Sequence, residues 1–265
     1  MVISVKLFPR ELKEVEFPEA RILSSEEQAR YDGEIQKYRK KAKSSLDVKS
    51  NLWRVLLLNQ MGIRTATLPE LECALENDMD LKGFYEDAPS VILRSAGDSH
   101  TPNDYIAKGL AKKLKIRSFK TPIIVNGLKI VEDNSSQYGL NFDTKNAELT
   151  KALDFNNKNH NRKFSRINPD YSIEFDNDGT RTLYTRDNGV SRLCLGGDSD
   201  LDSGDEGLAG SGDDGRVVVV TGEASSQKIL DKYISDIKEE SAKQIADIEQ
   251  RTKKAKNYIR TGKLE

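Results

Sequence analysis

The rhythm of apolar and polar positions changes near residue 120. Upstream it is helical. Ser24 to about Lys43 reads as a charged helix opened by Ser25, with Glu26 and Glu27 in the first turn, where carboxylates meet the positive end of the helix dipole. "NLWRVLLLNQMG" reads as a more apolar helix carrying Leu52, Val55, Leu56 and Met61 and stopped by Gly62, with Trp53 expected in its core. Thr67 and Glu70 have capping-box spacing ahead of Leu71, Ala74 and Leu75, which marks a third helix. Val2 to Phe8 alternates as a strand would.

Downstream, the period is that of strands. "TPIIVNGLKIVED" predicts a hairpin, because Asn126-Gly127 supplies the positive φ angles of a tight turn between two apolar runs. Turns at Asp178-Gly179 and Asn188-Gly189 separate three short strands, and Tyr171, Ile173 and Phe175 alternate with polar residues in the first of them. With "RVVVVTGE" these predict a meander of about four strands. Residues 196–215 are rich in glycine and acid and hold no lysine or arginine, so a flexible or ion-organised loop is expected.

From Ser225 to about Arg260, Leu230, Ile234, Ile237, Ile245, Ile248 and Ile259 form an apolar stripe that predicts a helix of about 36 residues, roughly 54 Å long. The pattern as a whole reads as α+β: a helical or mixed N-terminal part, antiparallel β-hairpins and a meander in the middle, and a long amphipathic C-terminal helix. Expected boundaries are 1–165 for a mixed domain, 166–222 for the meander and 223–265 for the helix.

Composition narrows the function classes. The chain has 265 residues, 32% of them charged, yet its formal net charge is only -1, which lacks the global basic footprint of a dedicated nucleic-acid binder. Cys73 and Cys194 are the only cysteines, too few for a disulfide framework and without metal-ligand spacing, so buried reduced thiols are expected. The N-terminal residues lack the pattern of a signal peptide, and no apolar run approaches the roughly 20 residues that span a bilayer. A cytoplasmic location without membrane partners is the expectation.

"VILRSAGDSHTPND", residues 91–104, admits two readings. In one, Val91-Ile92-Leu93 is a buried strand, Ser95 to His100 a polar turn and Thr101 the N-cap of a helix with Pro102 at its first position and Asp104 completing the box. In the other, Gly97-Asp98-Ser99 after a strand resembles the first block of the SGNH, or GDSL-type, hydrolases. That resemblance implies Ser99 as an ester-attacking nucleophile, served by a distant Asp-x-x-His. It covers a handful of residues. The chain has two histidines, and His160 is preceded by Asn157 where the family places Asp.

Three further patterns carry chemistry. Gly210-x-Gly212-x-x-Gly215 has the letters of a dinucleotide fingerprint but precedes a strand where that motif opens a helix, and no other feature calls for a cofactor. Asp198, Asp200 and Asp202 have the one-three-five spacing of calcium loops, although Ser203 and Ala209 occupy the positions where an EF-hand needs glycine and glutamate. Lys108, Lys112, Lys113, Lys115, Arg117 and Lys120 form a run without acid that suits either a solvated helix face or phosphates, and Lys37, Arg39, Lys40, Lys41 and Lys43 form a second. The leading expectation is a non-catalytic interaction or scaffold protein whose partner, or second copy, meets the C-terminal stripe at Ile245, Ile248 and Ile259. Nucleic-acid association through the basic runs and ester hydrolysis are the alternatives.

Overall fold

The computed structural model describes residues 19–205, 207–210 and 214–221, together with positions 243, 245, 246, 248 and 252. Pro18–Gly222 is one compact unit. Its elements, in chain order, are β1 (Glu19–Ile22), α1 (Ser25–Ile35), α2 (Lys40–Leu46), α3 (Leu52–Gln60), α4 (Leu68–Glu76), β2 (Tyr85–Leu93), α5 (Thr101–Lys113), β3 (Ile123–Asn126), β4 (Lys129–Glu132), β5 (Leu140–Asp143) and β6 (Glu148–Lys151). There follow β7 (Arg162–Ile167), β8 (Ile173–Phe175), β9 (Arg181–Tyr184), β10 (Val190–Leu195), β11 (Leu201–Asp202), β12 (Gly215–Arg216) and β13 (Val218–Thr221).

The helices form where local chemistry specifies them. Ser24 caps α1 with a complete capping box to Glu27, and Thr67 caps α4 through the same reciprocal bonds to Glu70. The single charged helix expected from Ser24 to Lys43 is broken into α1 and α2. α3 buries Leu52 to Leu58 on every side, and Trp53 stacks on Phe142 at 4.8 Å between ring centroids. A helix buried on every side, its one charged residue Arg54 donating to the Val48 carbonyl at 2.6 Å, belongs inside, which fits its place against β2.

The sheet corrects the expected fold class. The partition into a helical N-terminal part and a separate meander is overturned by one nine-stranded sheet, curled into a half-barrel, in the order β6-β3-β2-β10-β11-β9-β7-β8, with β12 also paired to β2. β2, from the part expected to be mainly helical, is central, antiparallel to β10 and β3 and parallel to β12. The expected meander is absent among the described residues. β9 and β10 are consecutive but do not pair, because β11 lies between them, parallel to β9. β13 leaves this sheet to pair with β1.

The Asn126-Gly127 hairpin is also corrected: β3 pairs with β2 and β6, whereas β4 pairs with β5 in a separate two-stranded sheet. Gly127 does adopt φ +67, but it serves a crossing between sheets, where an added Cβ would lie 2.2 Å from the Asn146 carbonyl oxygen. Two apolar clusters fill the faces of the sheet. Odd positions of β2, Val91 and Leu93, face the helices α3 and α5, and even positions, Ala88 and Ile92, face α4 and β7. The helix expected after the turn is present as α5, but its cap is corrected: His100 is the N-cap, Thr101 already begins the helix and no side-chain cap bond forms, Asp104 accepting instead from Asp98 N and Lys108 Nζ.

The predicted C-terminal helix and the Val2 to Phe8 strand lie outside the described residues, except that positions 243, 245, 246, 248 and 252 are helical; no continuous long helix is described. Among the described residues no helix is long and apolar enough to cross a membrane.

Candidate functional site

The Gly97-Asp98-Ser99-His100 turn joins β2 to α5. Asp98 is its working residue. Its side chain is fully buried, with Oδ2 accepting from Val190 N at 2.8 Å and Oδ1 from Arg186 Nη2 at 2.8 Å and His100 N at 2.9 Å. Ser95 Oγ accepts from Gly189 N at 2.8 Å and donates to the Gly97 carbonyl at 2.5 Å. The turn is thus fastened to the Gly189-Val190 turn that starts β10. Gly189, at φ +72, fits because a Cβ there would sit 1.8 Å from Asp98 Oδ2.

Ser99 is exposed, and its Oγ accepts from Arg186 Nη2 at 3.2 Å. A guanidinium donates hydrogen bonds and cannot take a proton, so it does not activate a serine as an imidazole does. His160 uses Nδ1 to accept from Thr185 N at 3.2 Å.

Beneath this turn lie two buried cations that sequence reasoning missed. Arg94, at the end of β2, donates to Ser191 Oγ (2.7 Å), Thr185 Oγ1 (2.8 Å), Ser203 Oγ (3.0 Å) and the Phe155 carbonyl (3.4 Å). Burial, with Arg186 nearby, lowers its pKa to about 9, which leaves it charged at neutral pH, held by neutral oxygens alone among its hydrogen-bond partners. On the opposite face Arg192 bridges Asp87 (2.8 Å) and Asp205 (2.5 Å), and Asp87 also accepts from Ser50 Oγ at 2.9 Å. The available signal was an arginine directly after the apolar run Val91-Ile92-Leu93 and another within the apolar strand "VSRLCL".

Asp198, Asp200 and Asp202 do come together, with Lys82, Tyr85, Tyr184 and three glycines, around an open cleft of about 470 Å3. Two of the carboxylates are spent on backbone amides. Asp200 Oδ1 accepts from Thr182 N at 2.5 Å, and Asp202 Oδ1 from Gly204 N at 2.8 Å and Asp205 N at 3.1 Å. Burial raises the Asp202 pKa. Among the described residues no three His, Cys, Asp or Glu side chains are gathered to hold a metal ion. Nor is the described part of this acidic segment a solvated loop: Leu201 and Leu208 are buried, and β11 and β12 belong to the sheet.

The basic run ends α5 and continues past it. All six cations are exposed. Lys108 pairs with Asp104 at 2.6 Å, and Lys113 Nζ donates to the Phe142 carbonyl at 2.6 Å. Ile245 and Ile248 are 58% and 62% exposed, and Ile259 lies outside the described residues. Cys73 and Cys194 are buried and free, and burial raises both thiols, which makes them poor nucleophiles. No protein-family model, curated protein or solved structure matches the chain.

Proposed function

We propose that this chain is a non-catalytic interaction protein. The observation that carries the reading is the employment of Asp98: the residue that gives the turn its hydrolase-like spelling is the buried clasp between the start of α5 and the start of β10. Asp200 and Asp202 are likewise engaged with backbone amides. Side chains that close a fold are not free to move protons or hold substrate. Ile245 and Ile248, apolar and exposed, are the partner contacts this reading assigns.

A fluorophosphonate probe with an ester-substrate screen tests it. No labelling at Ser99 and no ester turnover are expected, with a Ser99→Ala variant indistinguishable from the parent. Turnover that disappears in Ser99→Ala would overturn the reading. A second reading, association with nucleic acid, is favoured by one observation: Lys112, Lys115, Arg117 and Lys120 have no carboxylate within ion-pair distance among the described residues.

A further inference from the structure

We infer that the end of α5, the segment after it and the neighbouring α2 form a docking surface for the phosphate backbone of double-stranded nucleic acid. The inference rests on the reading of the chain as a binding protein. Its basis is the way residues 112–120 are built. Leu114, Ile116 and Phe119 pack against the core, and Lys115, Arg117 and Lys120 between and after them are exposed. The apolar residues therefore pin the segment while the cations line its outer side. Lys115 and Arg117, two residues apart, are separated by at most about 7 Å of chain.

Some of this charge has a structural duty. Cations suit the negative end of α5, and Lys113 is tied to Phe142. That duty ends with the helix. The helix closes in a Schellman motif, with Ile116 N donating to the Ala111 carbonyl at 3.0 Å and Lys115 N to the Lys112 carbonyl at 3.1 Å. Lys115 occupies the left-handed position, φ +57, where glycine has the lowest cost. Arg117 and Lys120 lie beyond the motif.

The second basic run lies close to the first. An added Cβ on Gly139 would lie 2.9 Å from the Lys41 carbonyl carbon, and Phe142, three residues on, holds Lys113; three residues of strand span about 10 Å. Lys40 and Lys41 are exposed and without a carboxylate partner among the described residues, whereas Lys37 and Arg39 meet Glu34 and Glu132.

Duplex is favoured over other polyanions by what the surface lacks. Single strands bind by stacking bases on exposed aromatic rings. Here Phe119 is turned to the core, and Tyr105, the exposed aromatic of α5, donates to Asp133 at 2.8 Å. Firm membrane attachment adds inserted apolar residues to the charge, and those of this run are packed inward. What remains is a row of cations suited to phosphates alone, which predicts binding that ignores sequence and falls steeply with salt.

The test is fluorescence anisotropy of the full chain with DNA duplex, RNA duplex, single-stranded DNA and anionic phospholipid vesicles across a salt series. Five phosphate contacts give a log-log salt slope of about -4.5, or about a 500-fold loss of duplex affinity between about 50 and 200 mM salt. The two duplex arms separate DNA from RNA. Lys115→Gly removes a cation while relaxing the backbone. The expected result is a slope smaller by about 1 with a melting temperature at or above that of the parent. A triple Lys115→Gly, Arg117→Gln, Lys120→Gln variant should lose most duplex affinity while staying folded. The proposal is overturned if the parent does not bind duplex, if the triple variant binds it unchanged, or if single strands or vesicles are bound more tightly than either duplex. Failure here leaves the non-catalytic reading standing, since that reading fails only on Ser99-dependent turnover.

Discussion

Replacing Arg192 with Met removes a cation from a place where a carboxylate cannot remain charged without it. Asp87 is fully buried, and burial raises its pKa while Arg192, and then Ser50, pull it down. With methionine at 192 the methylene packing is kept and the cation is lost, so Asp87 must either stay ionised in the core or take up a proton. An unfolded Asp has a pKa of about 3.9, so holding it protonated at about pH 7 costs about 3 units at 1.4 kcal/mol each, or about 4 kcal/mol. That agrees with the range of about 3–5 kcal/mol for breaking a buried ion pair. Asp205 adds little, being 31% exposed and screened.

The sign follows from the raised folded-state pKa of Asp87 in the variant. Its stability relative to the parent is retained below the unfolded value of about 3.9 and is lost as pH rises from there toward the raised folded value. Because burial already raises the Asp87 pKa in the parent, urea unfolding of the two proteins should differ by up to about 4 kcal/mol near pH 7 and by no more than about 1 kcal/mol near pH 4.5. The double variant Asp87→Leu with Arg192→Met should recover most of the loss at pH 7, apart from about 1 kcal/mol for the stranded Ser50 hydroxyl. A deficit equal at both pH values, or a double variant no more stable than the single, would refute the electrostatic account and leave packing as the cause.

Glu86 gives a second pH-dependent term. Burial raises its pKa to about 7 against the pull of Arg216, and its Oε2 has no hydrogen-bond partner among the described residues. The parent protein should lose up to about 3 kcal/mol of stability from this group as pH rises from about 4.5 to about 7, and denaturant midpoints of Glu86→Gln should lack that slope. Gly189→Ala should cost about 3 kcal/mol, since the side chain must adopt φ +72 and displace Asp98 from Val190 and Arg186. Gly33→Ala, in open space on α1, is the control and should be neutral or stabilising by up to about 1 kcal/mol; equal midpoints for the two alanine variants would show that the clasp carries no weight.

The sequence by itself determined what depends on neighbours in the chain. The capping box of Thr67 and Glu70, the more apolar helix α3, the buried strand at Val91 to Leu93 and the turn at Gly189 were all legible, because caps, helical stripes and positive-φ positions are set within a few residues. So were the exposed cations after α5, although not the inward packing of Leu114, Ile116 and Phe119 that fixes them in a row. Only tertiary structure decided that Asn126-Gly127 joins two sheets, that β11 separates β9 from β10, and that β2 is the centre of the fold. Alternation along a strand tells which side chains share a face, but every strand offers the same backbone donors and acceptors, so its partner is chosen by the packing of the whole. The same limit hid Arg94, Arg192 and the clasp of Asp98. A letter in the chain states a charge, whereas the cost of that charge depends on the dielectric and partners that distant segments bring to it.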